Sequence, residues 1–160
     1  MSNKEENICC PEFKPEKWDD KVLEWENKNF VKSEVKTFFY MPINFSSVMK
    51  RLDKLINFSF INQEEMISLS EHVSKWKMNI YIAIDKEVEG IENVKFTGKY
   101  YSKVYEGKFQ ENGKWCKDYE SHLEKKNLKV SKMYMWYTTC PKCAKKYGKN
   151  YVPIIGELKD

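Results

Sequence analysis

Met78-Asn79-Ile80-Tyr81-Ile82-Ala83-Ile84 alternates isoleucine with tyrosine and alanine. A period of two suits a β-strand whose two faces differ in chemistry. Such a strand buries its isoleucine face against another element, and the neighbouring segments supply candidates. Val35 to Met41 is β-branched and aromatic, and Pro42 ends it. Asn44 or Ser46 then caps a helix, in which Val48, Met49, Leu52, Leu55 and Ile56 recur at helical spacing. Ile67 to Val73 is a second strand of this half, and residues 86–90 form a loop. The order then starts again. Lys99 to Tyr105 reads as a strand closed by Glu106-Gly107. A helix is predicted over 112–126, with Trp115, Cys116, Tyr119, His122 and Leu123 on one face, and Asn127 stops it. Lys132 to Thr138 and Tyr151 to Leu158 are the last strands.

The expectation is an α+β fold. Two strand–helix–strand–strand repeats form one antiparallel sheet, with both helices on one face and a ligand groove on the other. Residues 1–34 make an N-terminal arm packed on the body through Trp18, Leu23, Trp25 and Phe30. The first repeat spans 35–97 and the second 98–160. A chain of 160 residues buries a core of this size without staples.

The 28 basic and 24 acidic residues leave a net charge of +4, spread along the chain and not gathered into a nucleic-acid footprint. The opening residues carry two glutamates and no apolar signal segment. No apolar run approaches the roughly 20 residues of a helical span. The chain is therefore expected in the cytoplasm, without nucleic-acid or membrane partners, as a monomer or weak dimer that binds a small molecule.

Several stretches carry a resemblance. They are Cys9-Cys10-Pro11, Phe39-Tyr40-Met41-Pro42-Ile43-Asn44-Phe45, Leu69-Ser70-Glu71 with Trp76, and Lys103-Val104-Tyr105-Glu106-Gly107. The longest runs from Tyr137 to Tyr151 and contains Thr138-Thr139-Cys140-Pro141-Lys142-Cys143. With the doubled element order, they resemble the GyrI-like small-molecule-binding family (tandem SHS2-type repeats), and within it a stand-alone bacterial subgroup labelled as hydrolases. The resemblance implies a groove between the repeats for bulky planar or cationic molecules. It also implies kinship to enzymes that open a strained cyclopropane ring inside an aromatic cage. Many multidrug-binding members place a glutamate and a tyrosine two apart on the strand after the second helix. Here that strand offers Met135 and Tyr137.

Three sets of side chains fit such chemistry. The aromatic share is 15 %, and Tyr40, Trp76, Tyr81, Tyr101, Tyr105 and Trp136 lie on predicted strands or their ends as cage candidates. Rings of this kind stack on planar ligands and stabilise positive charge; they also serve as core filling. Glu71 and Glu106 sit at strand ends, where a carboxylate activates water as general acid or base, and the Tyr137 hydroxyl orients that water. Paired with a surface lysine, either carboxylate would be inert. Finally, Cys140 and Cys143 have the two-residue gap of a zinc pair. Cys9 and Cys10 complete a structural site if the arm folds back; otherwise all four are reduced thiols. No cofactor is required. The alternative function is a non-catalytic sensor or protein-interaction module, zinc-stabilised through these cysteines.

Overall fold

The computed structural model describes residues 13–39, 41–44, 47–48, 50–52, 67–108, 111–138, 148 and 150–159, with backbone alone at 41 and 42. Its strands are β1 (Lys21–Phe38), β2 (Met41–Pro42), β3 (Ser68–Ser74), β4 (Lys77–Ala83), β5 (Glu92–Glu106), β6 (Val130–Met135) and β7 (Tyr151–Leu158). One long helix spans Asn112–Lys126, and residues 47–52 carry helical backbone wherever they are described. The protein is α+β, with sheet pairing that is mostly antiparallel. It divides into two compact units, residues 25–98 and residues 1–24 with 99–160, so β1 and β5 each run through the division.

In the unit 25–98, β4 lies between β1 and β3, antiparallel to both. The isoleucine face of β4 is buried as the alternation requires. Met78, Ile80 and Ile82 cluster with Val31 and Val35 of β1 and with Val48 and Leu52 of the helical stretch. Burying each such side chain contributes roughly 1.5–3 kcal/mol. β1 begins at Lys21, well before the expected Val35. Residues 21–34, expected as part of an arm, are thus mostly sheet. Leu23 and Trp25 alternate with Glu24 and Glu26, which is a strand pattern.

In the other unit β7 lies between β5 and β6, again antiparallel to both. The long helix packs Trp115, Tyr119 and Leu123 onto Tyr101, Met135, Val152 and Ile154. It ends where expected, at Asn127, whose left-handed backbone (φ +57°) lets its N–H reach the Glu124 carbonyl. Gly107, which closes the strand predicted from Lys99, has φ +147°, and a Cβ there would strike the Glu111 carboxylate. Phe13 and Trp18 pack edge-on against Trp136, with ring centroids 5.2 and 4.9 Å away.

The end of the arm is also held by charge. Tyr101 Oη donates to Asp20 Oδ1 at 2.7 Å, and Lys126 Nζ lies 3.1 Å from the same oxygen. The tyrosine hydrogen bond, then the lysine, holds the Asp20 carboxyl below its usual range. A depressed carboxyl stabilises the fold above its unfolded pKa and loses that contribution as pH falls through the folded one. Stability should therefore drop below about pH 4. The Asp20→Asn protein should show a shallower loss over that window in acid titrations followed by circular dichroism. Because Asp20 is half exposed, solvent screening keeps the difference small. Identical acid profiles for the two proteins would contradict this role.

Candidate functional site

Cross-strand register decides which side chains share a surface. On the sheet face turned away from the helical stretch at 47–52, Glu34, Asn79 and Glu71 form one row across β1, β4 and β3. Lys32, Tyr81 and Leu69 form the next row. The two rows meet through Glu71. Tyr81 Oη donates to Glu71 Oε1 at 2.8 Å, and Asn79 Nδ2 donates to the same oxygen at 3.2 Å. Both bonds fall on Oε1, which leaves Oε2 to take a proton. Asn79 Oδ1 is buried and has no hydrogen-bond donor among the described residues. Burial, and then the Glu71 carboxylate, push the Tyr81 hydroxyl far above its ordinary value. Tyr81 is therefore a fixed donor near neutral pH.

Aromatic rings pack beside these rows; Phe30 and Tyr81 are buried, and Trp25 and Phe96 are part-exposed. Phe96 of β5 lies 5.3 Å from Tyr81 and 4.6 Å from Phe30, centroid to centroid. Trp25 lies 5.8 Å from Phe30 and 6.3 Å from Phe96. Lysines sit over two of the rings: Lys32 Nζ is 6.0 Å from the Tyr81 centroid, and Lys28 Nζ is 5.9 Å from that of Trp25. A cavity of about 400 Å³ opens beside Lys32, lined also by Glu34, Arg51 and Glu92. Neither Glu71 nor Tyr81 lines it.

A family model described as Bacterial hydrolase matches residues 1–158. The chain belongs to the bacterial hydrolase family. None of the curated proteins matches it.

In this bacterial hydrolase family member the remaining candidates are dispersed. Tyr101 and Tyr105 share a face of β5, as alternation requires, and that face packs on the long helix. Tyr101 is buried against Tyr119, while Tyr105 stacks on Trp115 at 6.0 Å and donates to Asp118 at 2.7 Å. Tyr137 lies against the same cluster and donates to Met135 Sδ at 3.5 Å. Trp136 is buried under Phe13 and Trp18. Glu106 is exposed at the end of β5 and belongs to the other unit from Glu71. Trp76 stands exposed in the β3–β4 turn beside Phe38 and Phe39. Tyr40 and the candidate zinc ligands Cys9, Cys10, Cys140 and Cys143 lie outside the described residues. No described helix is long and apolar enough to cross a membrane.

Of the predicted set, the structure brings together Glu71 and Tyr81. It adds Asn79, Trp25, Phe30 and Phe96, which the sequence reading had not placed in a site. A signal for Phe96 was present: Val94 and Phe96 alternate with Asn93, Lys95 and Thr97, which extends β5 toward its N-terminus.

Proposed function

We propose that this chain binds planar aromatic small molecules against the part-exposed Trp25 and Phe96 rings, which the buried Phe30 and Tyr81 back, and hydrolyses them with Glu71 as general base. The observation that carries the reading is the Glu71 carboxylate. Tyr81 and Asn79 fix it through one oxygen, beside a buried amide oxygen that lacks a donor among the described residues. Buried acceptors of that kind normally have a partner, and a water donating to Asn79 Oδ1 would lie beside the carboxylate. In the reaction Glu71 Oε2 removes a proton from water as its oxygen bonds to the electrophilic carbon. The bond from that carbon to the leaving oxygen then breaks, the electron pair goes to that oxygen, and Glu71 returns the proton to it. The Lys32 ammonium on the same face offsets negative charge that builds on the carbonyl oxygen. The scheme requires no cofactor.

Family membership supports hydrolysis as the reaction class. The shared element and strand order of the two units supports kinship to GyrI-like tandem repeats. With Lys28 and Lys32 over the rings, neutral or anionic planar ligands fit this surface better than cations. 2-Naphthyl acetate is a suitable probe: the wild-type protein should release 2-naphthol above the buffer rate. If a broad set of planar aryl esters is released no faster than in buffer, the chain is a binding module without turnover. A Tyr81→Phe protein should retain part of the activity, because Asn79 still holds Glu71. A loss equal to that of Glu71→Gln would give Tyr81 a larger role than a donor.

A further inference from the structure

The β1–β2 and β3–β4 turns stand side by side at one end of the sheet in the unit 25–98. Thr37 ties them: its N–H donates to the Trp76 carbonyl at 3.0 Å and its Oγ1 donates to the Lys75 carbonyl at 2.7 Å. Three aromatic rings project from this tip, Phe38, Phe39 and Trp76, each more than half exposed at 57, 54 and 54 %. They touch one another, with centroids 4.8, 5.6 and 5.2 Å apart. Among the described residues, neither buried core cluster includes them. The backbone adds a second observation. Phe39 has φ +47°, a left-handed conformation that is an outlier for a bulky residue and that glycine or asparagine normally fills in a tight hairpin. A strained, exposed phenylalanine neither stabilises the turn nor packs the interior, so its use lies outside the fold.

The surroundings are basic. Lys36, Lys75 and Lys77 are exposed in the last rows of the sheet and in the turn. Lys77 lies 3.5 Å from Glu34, whereas among the described residues neither Lys36 nor Lys75 has an ion-pair partner. Lys75 Nζ stands 5.5 Å over the Phe39 ring. We infer that this tip docks on an anionic lipid surface, with Phe38, Phe39 and Trp76 entering the interfacial layer and the lysines facing the headgroups. The tip consists of two adjoining turns that project their rings outward, and an interface of lipid needs no shape complement. Tryptophan and phenylalanine flanked by lysine is also the composition that partitions there. The inference is independent of the hydrolytic reading, because the tip shares no residue with the Glu71 surface.

The test is sedimentation of the full chain with phosphatidylcholine vesicles, with and without phosphatidylglycerol. The protein should bind the mixed vesicles, and its tryptophan emission should shift to the blue, a shift that Trp76→Phe should remove, since Trp18, Trp115 and Trp136 are buried and Trp25 is part-exposed away from the tip. Phe39→Gly relieves the backbone and should raise the melting temperature by a few degrees while lowering partition roughly tenfold. Phe38→Ser with Trp76→Ser should lower it further, with an unchanged circular dichroism spectrum. Three results would overturn the inference. One is no binding of the intact protein to the mixed vesicles. Another is vesicle binding that Phe39→Gly leaves untouched while stability rises. The third is capture by polyglutamate with no vesicle binding, which would point to an acidic protein partner.

Discussion

Replacing Glu71 with glutamine should abolish most turnover of a planar aryl ester, by about 100- to 10,000-fold, while the protein stays folded. The substitution is well suited to the question because of how the side chain is held. Tyr81 and Asn79 both donate to Oε1, and the carbonyl oxygen of a glutamine accepts the same two bonds. Only the proton-accepting oxygen is exchanged, for an amide nitrogen that cannot act as a base. Melting temperatures of the two proteins should agree closely, and product affinity should change little, because the aromatic surface is untouched. A Glu71→Gln protein that turns over at the wild-type rate would remove Glu71 from the mechanism.

The largest effect on stability should come from Gly156. This residue lies in β7, opposite Tyr101 of β5 and Met133 of β6, on the face that carries the helix. A Cβ there would sit 2.5 Å from Tyr119 Oη and 2.6 Å from Val130 Cγ1. Tyr119 cannot withdraw: it is fully buried, and its hydroxyl donates to the Tyr101 carbonyl at 2.7 Å. Overpacking of this kind costs about 1–3 kcal/mol, and the contact with the backbone-anchored hydroxyl puts Gly156→Ala at the upper end. Urea denaturation should show a lower midpoint at an unchanged slope. Adding Tyr119→Phe removes the clashing oxygen, so the double variant should be more stable than the sum of the single changes predicts. Strict additivity would mean that Tyr119 is not what excludes a side chain at 156.

Much of this architecture was legible because alternation and helix punctuation are local signals. The isoleucines of β4 announced a buried face, and Asn127 marked the helix end through its tolerance of left-handed backbone. β1 was less legible. Its first half carries Glu24, Glu26 and Asn27 among few apolar residues, and Asn27 itself has φ +49°, so a sheet held together by Trp25, Phe30 and Phe96 resembled an arm. The candidate site was legible only in part, for a different reason. Periodicity puts Tyr101 and Tyr105 on one face of a strand but does not say which face the helix covers. Residues far away in sequence decide that: Gly156 leaves the space into which Tyr119 fits, and so Tyr101 becomes core and Tyr105 packs at its edge. Glu71 stays part-exposed because the apolar partners of the helical stretch at 47–52 are the isoleucines on the opposite face of β4, while Tyr81 beside it is buried and donates its hydroxyl to Glu71. Asn79 gave no signal of its own, since its role exists only through the register of β3 on β4.

The central claim is that ligand chemistry belongs to the Glu71–Asn79–Tyr81 surface. It is tested most directly by following backbone amide shifts during titration with 2-naphthol, the product of the probe ester. The account predicts saturable shifts concentrated at Glu71, Asn79, Tyr81 and Phe96, weakened when Phe96 is replaced by alanine. Shifts that gather instead around Trp115 and Tyr119, or at Phe39 and Trp76, with none along β3 and β4, would contradict it.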